Sequence, residues 1–472
     1  MKRTFTSEDQ QAFARLSGDY NPLHMDPLAA RRLMFGRQIV HGMHALLWGL
    51  DRCLGDGNGP SRRIRTIKAS FQSGIGIGEG VHCYPEATDE DKLAFRLETG
   101  GTTAVRAQLT WQAGSQVQQQ ALPRAPRVRQ ACREWPVGEL KAAAGTLPLY
   151  LDQGLAAHLF PHLSGVLPPV QLSEMLATTR LVGMECPGRH SIFSGFELTY
   201  LQETASQSEL DYRVVTCHPK LSVLLMRLRS AGMEGKIKAF LRPGARRQAA
   251  LADIGRAVTS GEFSGQRAVV VGGSRGLGEV TAKLLAAGGA GMIVTYNSGV
   301  KDARRVAEDI AEGKAEAIPR QLNVLDPTID LAIERTADSR PVFLYYFATP
   351  FIFGNTKGRF SLPRFNTFCD YYVGGFLKTA QALMSRPGGV ERIFYPSTTA
   401  IDEMPSNMGE YAAAKAAGER LCDFLQRTRP ALKIHLPRLP RLATDQTVSL
   451  LPVENQDPVP VLLAHLRKLR DL

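Results

Sequence analysis

Within the stretch Phe13–Asp26, FARLSGDYNPLHMD, an acid, an amide and an imidazole fall inside six residues, as Asp19, Asn21 and His24. Gly18 and Pro22 break regular structure here and fix a turn, so these groups sit on a loop. Such a cluster limits what can fold around it, because groups that hold and move protons must be positioned by their neighbours. Residues 6–17 read as a short helix entering the loop, capped by Thr6 or Ser7, with Glu8 and Asp9 in the first turn. Beyond the loop, Ile39-Val40-His41-Gly42-Met43 opens an apolar run at helical spacing: Met43, Leu46, Leu47, Leu50 and Leu54. The helix is predicted to start near His41 and Gly42, where free backbone N–H groups can receive an oxygen gaining negative charge.

After that helix, RTIKASFQSGIGIGEGVHCYPEA and KLAFRLETGGTTAVRAQLTWQ alternate apolar and polar residues between Gly-rich breaks, as antiparallel strands do. A lone histidine is more often structural than catalytic, but that reading does not explain the whole string. The string S-G-D-x-N-P-L-H-x-D followed by I-V-H-G-M closely resembles the MaoC-like dehydratases and R-specific enoyl-CoA hydratases over residues 1–113. The resemblance implies a hot-dog fold, a long helix wrapped by a curled antiparallel sheet. It also implies that Asp19 and His24 position and deprotonate water and protonate the α-carbon of an acyl thioester, while the Gly42 N–H receives the thioester oxygen. Asn21 is expected to shape the loop, with Asp26 and His41 supporting it.

Lys and Arg number 57 against 45 Asp and Glu, a net charge of +12 over 472 residues. The length suits about two to four domains. No basic run is concentrated enough to favour nucleic acid, and the charge suits phosphate-bearing ligands such as coenzyme A, acyl carrier protein or a dinucleotide. The seven cysteines are scattered without a C-x-x-C, as expected of reduced thiols in the cytoplasm. The amino terminus lacks an apolar core and no run of about 18 apolar residues occurs, so no membrane association is expected. No metal site is expected.

Residues 114–135, rich in Gln, Pro and Arg, read as a linker. Residues 136–243 look like a weaker second copy: Pro168 and Pro169 precede a helical run, and HSIFSGFELTYLQ, LDYRVVTCH, SVLLMRL and GKIKAFLRP look like strands. A second hot-dog is predicted, giving an α+β double hot-dog. It lacks the acid–histidine loop, so His158, His162 and His190 are read as surface or packing residues, and this half as non-catalytic.

Residues 244–263 read as a basic, then helical connection, and residues 264–472 follow a different grammar. AVVVGG is a buried parallel strand, the Gly-rich turn after it opens a helix, and MIVTYN is a second strand, the start of a β-α-β nucleotide unit. Gly272, Gly276 and Gly278 form G-xxx-G-x-G, with Ser274, Arg275 and Leu277 between them. Ser397 precedes Tyr411 by fourteen residues, and Tyr411 and Lys415 lie one helical turn apart. Together these resemble the short-chain dehydrogenase/reductase family, on an α/β Rossmann-type doubly wound fold. The resemblance implies that Ser397 holds a substrate carbonyl, Tyr411 donates a proton, and Lys415 lowers the phenol pKa and orients a ribose. Gly272, Ser274, Arg275, Gly276, Leu277, Gly278, Asn297, Ser298, Asn323, Val324 and Lys415 would bind the cofactor. Tyr296-Asn297-Ser298 has no acid for the ribose hydroxyls and Arg275 offers a cation, which points to NADP. Three positions depart from the family: Ala348-Thr349-Pro350 replaces N-N-A-G, Tyr372 stands where an asparagine completes the proton relay, and Pro440-Arg441 replaces P-G.

Joined, the two resemblances imply an enoyl hydratase/3-hydroxyacyl dehydratase and an NADPH-dependent 3-oxoacyl reductase in one chain, acting on acyl-CoA or acyl-carrier-protein thioesters, as a homo-oligomer. The alternative is hydratase chemistry alone, with the last domain a nucleotide-binding or assembly module.

Overall fold

The computed structural model describes residues 1–55, 62–89, 91–113, 122–123, 130–136, 138–201, 208–331, 340–353, 358–386, 388–450 and 453–472. Most of the linker expected over 114–135 therefore lies outside the described residues. The chain divides into two units, one of Met1–Gly244 with a short segment from Ser449, the other of Ala245–Val448 and the remaining C-terminal residues.

The first unit is a large, hot-dog-like antiparallel sheet of ten strands. In spatial order these are Lys2–Thr4, Gly80–Thr88, Lys92–Thr99, Thr102–Ala113, Arg62–Phe71, Ser191–Tyr200, Met233–Leu241, Val223–Arg229, Glu209–His218 and Ala144–Pro148. The two halves of the sequence are fused at the centre, where Ile67 pairs with Leu198 and Ala69 with Phe196. Each half contributes a buried helix, Gly42–Leu54 and Pro169–Arg180, and one apolar core runs through both.

Polar side chains splice the halves together. The Arg62–Phe71 strand pairs with Ser191–Tyr200 only from Thr66 onward, which leaves the Ile64 N–H and C=O without ladder partners on that side. Gln171 of the second half replaces them, its Oε1 accepting from Ile64 N at 3.0 Å and its Nε2 donating to Ile64 O at 2.9 Å. The Pro161–Val166 helix has no cap of its own, and buried Asp51 of the first half accepts its His162 and Leu163 N–H groups, both at 2.9 Å.

The second unit is a six-stranded parallel sheet flanked by helices, in the order Ala317–Gln321, Gly291–Tyr296, Arg267–Val271, Val342–Tyr346, Arg392–Phe394 and Lys433–His435. Written by position in the chain this order runs 3-2-1-4-5-6, the doubly wound arrangement whose crevice lies where the order reverses, beside Arg267–Val271. Within the 244–263 connection only Leu251–Ile254 and a following 3-10 turn, Gly255–Ala257, are helical. The segment is pinned by Lys283, whose ammonium donates to Ala249 O at 2.8 Å, and by Asp309, which accepts from Leu251 N at 3.2 Å. No helix among the described residues is long and apolar enough to cross a membrane.

The Gly42–Leu54 helix lies so close to the sheet that a Cβ on Gly49 would stand 2.5 Å from Phe95 and 3.0 Å from Leu97. Gly49→Val should destabilise this unit by about 1–3 kcal/mol, because a packed core resists added volume. All three tryptophans, Trp48, Trp111 and Trp135, lie in the unit, so urea unfolding followed by tryptophan fluorescence reads the effect directly. An unchanged midpoint would refute the close packing.

Candidate active sites

The first site is assembled on the loop after the Ser7–Ser17 helix. That helix is closed at its start by a capping box between Thr6 and Asp9 and at its end by Gly18, at φ 78°. Gly18 is also where the Tyr150 hydroxyl approaches, leaving no room for a Cβ. Asn21 caps the short Pro22–Met25 helix through Leu23 N, while its amide nitrogen donates to Gly183 O at 2.8 Å.

Asp19 is 1% exposed. Its Oδ1 accepts from Asn21 N at 3.1 Å and its Oδ2 from the Thr179 hydroxyl at 2.8 Å. Burial pushes its pKa above the usual carboxylate value, while His24, Thr179 and the Asn21 N–H oppose that rise. The backbone of Gly183 presses on the carboxylate: a Cβ there would lie 2.3 Å from Oδ1. Gly183 belongs to a π-helical turn, Leu181–Glu185, of a kind that often marks functional positions.

His24 is half-buried, and its Nδ1 lies 2.9 Å from Ile39 O. A carbonyl only accepts, so Nδ1 carries the proton and Nε2 is the basic nitrogen. Burial holds the pKa below its ordinary value against the opposing pull of Asp19, which keeps the ring neutral near pH 7. The His41 ring stacks on His24 with centroids 4.0 Å apart.

His41 lies between two oxygen acceptors, Gln10 Oε1 2.9 Å from Nδ1 and Asp19 O 3.0 Å from Nε2, and burial keeps the ring neutral, so it donates to one of them, while its backbone N–H donates to Gln10. Asp19, His24 and His41 offer ligand atoms within 4.8 Å of one another. Each His41 nitrogen faces an oxygen acceptor and His24 Nδ1 faces a carbonyl, an arrangement that suits proton handling better than metal binding. Gly42 begins the helix behind His41, tight against the Phe71 ring. Among the described residues its N–H has no hydrogen-bond acceptor, as befits the first turn of a helix.

In the second unit Gly272 and Gly276 take positive φ, 77° and 58°, and a Cβ on Gly278 would strike Gly272 O at 2.3 Å. These glycines therefore bring a turn hard against the start of the Gly276–Ala287 helix, with Ser274 buried and Leu277 partly buried beside it. Asn297 and Ser298 are exposed at the end of the second strand, and Val324 is buried. Asn323 is held by Asp326 at 2.7 Å. Arg275, expected as a free phosphate-binding cation, instead pairs with buried Asp445 at 2.5 Å. The reason is that the Thr444-Asp445 turn packs against Gly276 and meets the guanidinium first.

Two neighbouring hydroxyls, Ser397 and Thr398, divide the contacts expected of Ser397. The Ser397 hydroxyl donates to Glu419 at 2.5 Å, and Arg438 clamps the same carboxylate at 2.6 and 2.9 Å. The hydroxyl bonded to Tyr411 belongs to Thr398. Neighbouring residues of a strand face opposite ways, so a shift of one position exchanges the two roles.

Lys415 does not depress the phenol as expected. Burial pushes Tyr411 up to about 12 and Lys415 down to about 7. The Lys415 ammonium donates to Pro396 O at 2.7 Å and lies 4.1 Å from the centre of the Tyr372 ring. Tyr372 bonds Thr349 at 2.6 Å and so occupies the place expected for a relay asparagine.

Residues 1–108 match the family model of the MaoC like domain. The (R)-specific enoyl-CoA hydratase of Aeromonas caviae is 36% identical over 114 residues, covering 22% of this chain and 84% of that protein. The chain belongs to the MaoC-like hydratase family. It carries this domain together with a unit of short-chain dehydrogenase/reductase-like fold. The NADPH-dependent aldehyde reductase-like protein of Arabidopsis thaliana is 30% identical over 185 residues, covering 34% of this chain and 66% of that protein. A solved short-chain dehydrogenase from Burkholderia cenocepacia J2315, in complex with NADP, is 23% identical, with 44% of this chain and 91% of that one covered and a TM-score of 0.36. The chain spans about two fifths of two further dehydratase relatives, 39% and 40% of their lengths.

In this MaoC-like chain the sequence reading missed Gln10, Thr179 and Gly183, whose distant positions carry no local signal. Thr398 was within reach, since it lies beside Ser397. Thr179→Val should move the acid limb of any Asp19-dependent activity to higher pH by about one unit. Losing a hydrogen bond to the charged form raises a carboxyl pKa further. A pH–rate profile of the variant that superimposes on the parent's would show that the Thr179 hydroxyl does not support the carboxylate.

Proposed function

We propose that the first unit interconverts trans-2-enoyl and 3R-hydroxyacyl thioesters, and that the second reduces 3-oxoacyl thioesters with NADPH. The observation that carries the reading is a neutral His24, its Nε2 basic, beside a buried Asp19 and ahead of the Gly42 helix start. In hydration, His24 takes a proton from a water aligned by Asp19, the oxygen adds to carbon 3, and the Gly42 N–H receives the enolate oxygen. The proton is then returned to carbon 2, and dehydration is the reverse. The second half of the unit serves the same site as a non-catalytic partner.

In the second unit the tight glycine turn at a helix N-terminus fits a dinucleotide pyrophosphate. The absence of an acid at Tyr296-Asn297-Ser298, and the name of the Arabidopsis relative, favour NADP. Gly272, Ser274, Arg275, Gly276, Leu277, Gly278, Asn297, Ser298, Asn323, Val324 and Lys415 would hold it, with Arg275 exchanging Asp445 for a phosphate. When bound, the cofactor supplies hydride. On the protein side, Tyr411 gives a proton to the substrate oxygen while Thr398 holds that oxygen, and Ser397 braces the strand through Glu419. We place the protein in the cytoplasm, as a homo-oligomer acting on coenzyme A or carrier-protein thioesters.

Both reactions act at carbon 3 of one substrate line, so full-length protein with NADPH and a short 3-oxoacyl thioester should yield hydroxyacyl and enoyl products together. His24→Ala or Asp19→Asn should lower enoyl hydration by about two orders of magnitude and spare NADPH oxidation. Tyr411→Phe should do the reverse. The Arg275–Asp445 pair, Tyr372 and the high Tyr411 pKa favour a second reading, hydratase chemistry with a nucleotide-binding module. NADPH binding without reduction of any 3-oxoacyl thioester would decide for it.

The exchange of roles between Ser397 and Thr398 is tested separately. Thr398→Val should cost about 10²-fold or more in reduction, whereas Ser397→Ala should act mainly on stability. The opposite ranking would restore Ser397 as the carbonyl-holding residue.

A further inference from the structure

The mechanism above leaves one buried charge beside the hydratase loop without a role. Arg242 follows the Met233–Leu241 strand and is 4% exposed. Its Nη2 donates to Arg189 O, the carbonyl that also accepts from the Asn21 amide at 3.4 Å. Its backbone N–H donates to His190 O at 2.8 Å. Its Nε is buried with no hydrogen-bond partner among the described residues, and Arg242 forms no ion pair there. The nearby carboxylate, Glu134, is exposed and shared between Arg189 at 3.2 Å and His190 at 3.8 Å.

A cation taken out of water with no anion facing it is costly, and a guanidinium with an unused N–H is built to take a carboxylate or phosphate oxygen. Burial and the neighbouring Arg189 charge lower its pKa to about 10, so it remains charged at neutral pH. It also belongs to the charges acting on His24.

We propose that Arg242 is an anion-recognition residue of the hydratase site, taking a negatively charged oxygen group carried by the thioester substrate. The inference rests on the hydratase reading of the same loop. Arg242 shares a carbonyl with Asn21 and its charge acts on His24, so an anion it takes lies near the reacting end of the substrate. A carboxylate on the acyl chain is therefore the group it fits best.

The test compares hydration of three thioesters by the full chain and by Arg242→Met and Arg242→Lys. Crotonyl N-acetylcysteamine has no charge, glutaconyl N-acetylcysteamine adds an acyl carboxylate, and crotonyl-CoA adds phosphates. The parent should favour glutaconyl over crotonyl N-acetylcysteamine by about tenfold or more in kcat/KM. Arg242→Met should collapse that ratio, and Arg242→Lys should restore part of it. If the ratio lost is instead crotonyl-CoA over crotonyl N-acetylcysteamine, the anion is the carrier phosphate and the site stands. Equal losses on all three substrates with no rescue by lysine, or no loss at all, overturn the proposal. A parent enzyme that hydrates none of them removes the hydratase reading, and this inference with it.

Discussion

The carboxylate of Asp19 is buried, and the protein's first unit is arranged around making that tolerable. A desolvated carboxylate needs donors, and one of its two hydrogen-bond donors comes from Thr179, 160 residues further along the chain. The halves must therefore be fused before the site exists. The central strand pairing, the Gln171 clamp on the Ile64 backbone and the Asp51 cap on the Pro161–Val166 helix all perform that fusion. The second half has no acid–histidine loop of its own, yet its Thr179 and Gly183 hold Asp19 and Asn21 of the first.

The same arrangement sets the electrical state of the site. Asp19 is raised by burial and pulled back by three partners, while His24 is lowered by burial and raised by Asp19. Each group opposes the shift of the other, and the carbonyl of Ile39 chooses which imidazole nitrogen is basic. Gln10 and the Asp19 carbonyl hold the His41 ring from its two edges. A carboxylate–imidazole pair is poised here by desolvation and fixed hydrogen-bond partners.

The nucleotide-type unit shows a different balance. Glycines 272, 276 and 278 build the close turn that a dinucleotide pyrophosphate requires, but the charges around it are already paired internally: Arg275 with Asp445, and Glu419 with Arg438 and Ser397. Tyr411 and Lys415 are deep enough that burial moves both pKa values toward the uncharged forms. A ligand phosphate or carbonyl entering this unit would have to displace these internal partners.

Local patterns in the sequence carried the helices that frame the loop, the strand alternation and the glycine turn, because periodicity, capping and positive φ act over a few residues. They also marked Asp19, His24 and Gly42 as candidates, which sit on a loop, on the short Pro22–Met25 helix it leads into and at the helix start that follows. They could not carry Thr179, Gly183 or Arg242, because nothing near those positions records what faces them across a fused sheet. Nor could they show which hydroxyl faces Tyr411 or that Arg275 pairs with Asp445, since a side chain's direction and its ion-pair partner are decided only when distant segments pack. The sequence alone determined which chemistry-bearing groups the chain possesses. Tertiary structure decided which of them are buried, which are paired and which remain able to act, because desolvation and hydrogen-bond partnership depend on neighbours in space.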